Sequence, residues 1–176
     1  RSLHKNGFSY IAYGLHEGGG ITVIVNYALV SVVSFDELVR QCRSALSWIW
    51  INADSFGGDR ERLFVSGHSA GGHLVAMMMA TDWPAFDLEL PIQLIQGGCG
   101  ISGLYDLEPI RLCFLNEDLN LTKEDAERNS PSKLRPTSPS PLVLAVGAKE
   151  GKEFHRQSVS LANSWKQSGK PPELLV

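Results

Sequence analysis

Residues 63–73, Leu-Phe-Val-Ser-Gly-His-Ser-Ala-Gly-Gly-His, constrain this chain more than any other stretch, because they fit only one kind of turn. The run Arg62-Leu63-Phe64-Val65 is apolar enough for a buried strand, and Leu74 to Met79 supplies an apolar helical segment. Between them stands Gly67-x-Ser69-x-Gly71. Strand, G-x-S-x-G and helix together describe a nucleophile elbow, a sharp turn that holds its serine in a strained backbone conformation. Glycine at 67 and 71 is expected for a steric reason: side chains two residues either side of the serine would collide with the neighbouring strand or helix. In that geometry Ser69 projects at the carboxyl end of the sheet, and the Ala70 N–H faces the oxygen of an attacked carbonyl. An ordinary Gly/Ser turn would share the five residues but not their flanks.

The remaining composition narrows the class. A chain of 176 residues suits one domain with a sizeable core. A net charge of −3 gives no basic footprint for nucleic acid. No apolar run approaches the roughly 20 residues that span a bilayer. The first residues, Arg-Ser-Leu-His-Lys-Asn, lack a signal-peptide pattern. Cys42, Cys99 and Cys113 are scattered, which fits reduced thiols and a cytoplasmic setting better than a disulfide framework. Asn120-Leu121-Thr122 is a formal glycosylation sequon with nothing else pointing to secretion.

Strands and helices alternate along the chain. Residues 21–25 form a β-branched run expected as a strand buried on both faces. Ser34 and Glu37 read as a capping box, followed by Phe35, Leu38, Val39, Cys42, Ala45, Leu46 and Ile49 at helical spacing. Phe56-Gly57-Gly58-Asp59 breaks that helix. Further strands are expected at residues 92–95, at 142–146 and from Leu174, with a short helix near Thr122 to Arg128. Phe154, Leu161, Ala162 and Trp165 mark a helix closed by Ser168-Gly169. Repeated βα units predict an α/β fold, a mostly parallel sheet with helices on both faces. The three consecutive methionines after the elbow read as core.

Several blocks resemble the kynurenine formamidase (arylformamidase) branch of the α/β-hydrolase esterases. They are Val25-Asn26-Tyr27, Phe56-Gly57-Gly58-Asp59, the elbow itself, Ser102-Gly103-Leu104-Tyr105-Asp106-Leu107-Glu108-Pro109, Arg128-Asn129-Ser130-Pro131 and Glu153-Phe154-His155-Arg156-Gln157-Ser158. The elbow alone indicates an esterase or lipase relative; the Gly-Leu-Tyr-Asp-Leu-Glu-Pro and Glu-Phe-His-Arg-Gln-Ser blocks narrow the match. Residues 29–32 depart from the family, whose members often carry an Ala-Pro loop there. The resemblance implies an α/β-hydrolase fold over residues 1–176 as a single, truncated domain. It would lack the N-terminal strands and the C-terminal strand and helix.

A catalytic triad in this fold runs in the order Ser, Asp/Glu, His. The resemblance implies the acid at Glu150, three residues after Gly147, with Glu153 the alternative one helical turn on. His4 and His16 precede the serine, His68 and His73 belong to the elbow block, and His155 follows Glu150 too closely to reach Ser69. The family's histidine lies in a loop after the last strand, so the base is expected to be absent from this chain. Relatives carry the oxyanion segment His-Gly-Gly-x-Trp just before the Arg-Ser-Leu with which the chain opens. His16-Glu17-Gly18-Gly19-Gly20 imitates such a loop, but its place after a helix and before residues 21–25 predicts a helix C-cap. Tyr105 and Phe154 are possible pocket residues, more often core by aromatic burial.

The resemblance implies a serine hydrolase that cleaves the formamide of N-formylkynurenine through a formyl-enzyme, with a small-molecule substrate and no organic cofactor. No H-E-x-x-H or paired Cys/His spacing suggests a metal. A general small-acyl carboxylesterase uses the same machinery and is the alternative. A non-catalytic binding relative is the second, against which stand the retained serine and acid.

Overall fold

The computed structural model describes residues 4–30, 32–166 and 171–176; Arg1 to Leu3, Ser31 and the Ser168-Gly169 stop lie outside the described residues. Eight α-helices occur among them: α1 (Ala12–Glu17), α2 (Phe35–Asn52), α3 (Ala70–Met79), α4 (Trp83–Phe86), α5 (Glu108–Arg111), α6 (Asn116–Leu119), α7 (Lys123–Arg128) and α8 (Lys152–Trp165). The strands are β1 (Phe64–His68), β2 (Gly97–Ile101), β3 (Leu142–Ala145) and β4 (Glu173–Leu175). They form one sheet in the order β1-β2-β3-β4, every pair parallel. Parallel neighbours require crossovers, and α3, the 102–141 excursion and α8 supply them. None of the described helices is long and apolar enough to cross a membrane.

α2 starts where Ser34 caps it, its Oγ accepting the Glu37 N–H at 3.2 Å. The capping box is only half formed. Glu37 does not reach back; its carboxylate accepts from Arg40 and Gln41 instead. Two strand expectations are corrected. Residues 21–25 join no ladder among the described residues, and Ile21 and Val23 are about half exposed (53% and 46%). β-branching favours extended backbone, but a strand also needs a partner for its N–H and C=O groups. The strand placed at 92–95 lies instead at Gly97–Ile101. Leu94 and Ile95 are core, yet the chain is still turning there.

Glycine marks β2 because its neighbours leave no room. A Cβ on Gly98 would fall 3.1 Å from Val75 and Leu142 side-chain carbons and 3.3 Å from the Met79 sulfur. Those contacts also show which sheet face carries α3. Val65, Gly98 and Leu142 are in register on it, and Met77, Met78 and Met79 join Leu144, Leu161 and Trp165 in one core with α2 and α8. On the opposite face, Phe64, Ile101 and Leu175 are exposed.

Candidate active site

The chain turns from β1 into α3 at Ser69, with φ 57° and ψ −115°, a left-handed backbone that a serine rarely adopts. Two bonds hold it there. Ser69 N–H donates to the Ile101 carbonyl at 2.8 Å, and the Ser69 carbonyl accepts the His73 N–H at 3.2 Å. The glycines around it divide unequally. A Cβ on Gly67 would overlap the Gly71 backbone, and one on Gly72 would come within 2.8 Å of Gly103 Cα. A Cβ on Gly71 meets nothing within 4 Å, so the clash expected at 71 falls at 72 instead. Gly67→Ala is therefore expected to destabilise the protein by about 1–3 kcal/mol, measured as a fall in urea midpoint, whereas Gly71→Ala costs far less.

Ser69 is the N-cap of α3 and half-buried. Ala70 opens the helix, so its N–H has no intrahelical acceptor and points out of the positive end of the helix dipole. A developing oxyanion beside Ser69 would meet that N–H.

Glu150 stands on the loop leaving β3. Its Oε1 accepts the Ser102 hydroxyl at 2.5 Å and the Gly147 N–H at 2.8 Å. Those donors, Ser102 first and Gly147 second, hold its carboxyl below the usual glutamate range, and the nearby His68 and His155 add to the effect. Glu153 is committed elsewhere. It pairs with Arg156 at 2.7 Å through both oxygens and accepts from Gln157 Nε2 at 3.0 Å.

No histidine ring is hydrogen-bonded to Ser69 Oγ among the described residues. His4 Nδ1 accepts the Asn6 N–H at 3.3 Å. His16 lies in α1, whose end is a Schellman motif. Gly19 N–H donates to His16 O at 2.8 Å and Gly20 N–H to Leu15 O at 2.9 Å, with Gly19 at φ +79°. The Gly19 and Gly20 N–H groups are spent on that cap, as the helix-stop reading expects.

His73 is only 2% exposed, and its Nε2–H donates to the Asn129 carbonyl at 2.7 Å. Phe35 packs edge-on against the ring, centroids 5.3 Å apart. Burial pushes the His73 pKa down to about 4 from 6.5, the Asn129 bond opposing it. The neutral ring thus contributes stability that is fully present above pH 6.5 and is lost as pH falls towards 4. The loss amounts to about 3 kcal/mol. Urea unfolding near both ends of that window is expected to show it, and His73→Gln to flatten the slope; an equal slope in the variant would contradict the assignment.

Tyr105 is fully buried and belongs to the core, while Phe154 is half-buried. No group of three or more His, Cys, Asp or Glu among the described residues could hold a metal ion. Ser102 and Gln157, named only within the resemblance blocks, are the residues to which sequence reasoning gave no role. Serine directly after a glycine-rich strand carries no pattern of its own, and nothing within Glu-Phe-His-Arg-Gln-Ser singles out Gln157.

A parallel sheet with a strained serine between strand and helix defines the α/β-hydrolase fold. A solved protein from Silicibacter sp. TM1040 superposes on it with a TM-score of 0.82 at 26% identity, covering 99% of this chain and 62% of that one. The BD-FAE family profile matches residues 3–97, and the chain belongs to that family. It is also similar to the kynurenine formamidase of Danio rerio, 33% identical over 172 residues (95% of this chain, 56% of the relative). The kynurenine formamidase of Salmo salar is 35% identical over 161 residues (89% and 52%). The chain spans about half the length of these curated relatives.

Proposed function

We propose that the full-length protein is a serine hydrolase of aryl formamides, converting N-formylkynurenine to kynurenine and formate. The observation that carries this reading is Ser69 at φ 57° on the N-terminus of α3, with Glu150, on the loop after β3, anchored to Ser102 at the end of the intervening β2. Similarity to the two kynurenine formamidases supports the formamide as substrate.

In this reading Ser69 Oγ attacks the formyl carbon as a histidine takes its proton, and the Ala70 N–H stabilises the oxyanion. That base lies outside the described residues. The C–N bond breaks, the protonated base returns its proton to the departing aryl amine, and a formyl ester of Ser69 remains. Water, deprotonated by the same base, releases formate and regenerates the serine. Glu150 orients the base and stabilises its cation; Glu153, locked to Arg156, does not. Residues 1–176 belong to one α/β-hydrolase domain. The three free thiols suit a cytoplasmic setting, where this reaction serves tryptophan degradation.

Turnover of N-formylkynurenine and p-nitrophenyl acetate by the full-length protein, measured side by side, tests the substrate. Efficient hydrolysis of the formamide is expected. Hydrolysis of the ester alone would replace this reading with a general carboxylesterase.

A further inference from the structure

Ile101-Ser102-Gly103, where the chain leaves β2, touches both ends of the proposed machinery. The Ile101 carbonyl receives the Ser69 N–H, and Gly103 lies against Gly72 at the start of α3. Ser102, between them, donates its hydroxyl to Glu150 Oε1 at 2.5 Å and its N–H to the carbonyl of Ala145, the last residue of β3, at 2.8 Å. One residue therefore ties the end of β2 to β3 and to the loop that follows it.

Three further facts separate this from an incidental contact. Ser102 is 2% exposed, so water does not compete freely for its hydroxyl. Its φ of 48° lies in the left-handed region, where glycine would sit without strain and a serine brings only its hydroxyl in compensation. With the Gly147 N–H on the same oxygen, Glu150 Oε1 holds two donors, while Oε2 has no hydrogen bond among the described residues. A carboxylate held twice through one oxygen keeps its other oxygen as the free acceptor, as orienting an imidazole N–H requires.

The geometry points to Ser102 as the positioning residue of the catalytic carboxylate: it aims the free oxygen of Glu150 and, through the Ile101 carbonyl, sets it relative to Ser69. This rests on the reading of Ser69 and Glu150 as nucleophile and acid. The experiment compares Ser102→Gly, Glu150→Gln and the double variant in the full-length protein, with N-formylkynurenine as substrate. Ser102→Gly suits the backbone, so its thermal midpoint is expected to hold or rise. Its kcat is expected to fall about 10- to 100-fold with KM little changed. The double variant is expected to be no slower than Glu150→Gln alone, because the hydroxyl acts only through that carboxylate. Ser102→Ala, which keeps the left-handed strain, is expected to lose the same kcat.

Wild-type kcat in Ser102→Gly beside a crippled Glu150→Gln would overturn the positioning role and leave the acid assignment standing. Independent, multiplying losses in the double variant would also overturn it, since the hydroxyl would then act elsewhere. An active Glu150→Gln would instead overturn the acid assignment itself.

Discussion

Ser69→Gly in the full-length protein is expected to abolish turnover and to raise stability in the same stroke. Removing the attacking oxygen leaves only binding and oxyanion stabilisation, a loss on the order of 10⁴–10⁶ in kcat. The backbone effect has the opposite sign. At φ 57° and ψ −115° a side chain is strained by about 1–3 kcal/mol. Glycine relieves that strain at an entropic cost of about 0.5–1 kcal/mol. A net gain of about 1 kcal/mol should appear in urea unfolding. Ser69→Ala separates the two effects, because it loses the same activity and keeps the strained turn. Equal stability of the two variants would mean that the elbow stores no more strain than the entropy glycine costs.

Gln157→Leu is expected to lower stability by about 2–6 kcal/mol, with Ser69 untouched. Gln157 is fully buried and makes four hydrogen bonds. Its Oε1 accepts the N–H groups of Tyr105 at 2.8 Å and Asp106 at 2.6 Å. Its Nε2 donates to the Asp106 carbonyl at 2.9 Å and to Glu153 at 3.0 Å. Leucine of similar size satisfies none of them and strands two backbone donors, each costing about 1–3 kcal/mol. Chemical unfolding monitored by tryptophan fluorescence measures the loss; a change under about 1 kcal/mol would show that water replaces the amide.

That clamp gives a structural role to the two blocks that carry the resemblance to the kynurenine formamidases. Arg156 joins Asp106 at 3.3 Å and Glu153 at 2.7 Å, so Glu-Phe-His-Arg-Gln-Ser and Gly-Leu-Tyr-Asp-Leu-Glu-Pro are the two halves of one hydrogen-bonded joint between α8 and the loop after β2. Arg-Asn-Ser-Pro completes it. The Ser130 hydroxyl accepts the Leu107 N–H at 2.8 Å, Asn129 receives the His73 ring, and the Pro131 carbonyl accepts Trp165 Nε1–H at 3.0 Å. These residues fix where α8 and α3 sit, and hence where the strand ends that carry Glu150 and Ser69 point.

Legibility in the sequence followed the physics of each element. α2, α3 and α8 announce themselves by helical periodicity or a capping serine, and β1 and β3 by apolar runs. β2 escaped because its residues are chosen for absence: glycine at 97, 98 and 100 lets Phe64, Val75 and Tyr105 approach, and glycine is what strand propensity counts against. Residues 21–25 misled for the converse reason, since β-branched residues declare backbone preference without declaring a partner. At the site, Ser69 and the glycine at 67 could be read from the motif alone. Glu150 as a candidate required the family's spacing, and that Glu153 is paired with Arg156 while Glu150 is not could be read only from the structure. Ser102 was invisible, since its role depends on a contact across 48 residues of sequence.

The most direct test of Ser69 as a nucleophile acting on an aryl formamide is covalent labelling of the full-length protein with a fluorophosphonate, with and without N-formylkynurenine. The label is expected on the peptide carrying Ser69, to vanish in Ser69→Ala, and to slow in proportion to the formamide added. A protein that hydrolyses N-formylkynurenine while Ser69 stays unlabelled, or a label that forms at the same rate whatever the formamide concentration, would contradict it.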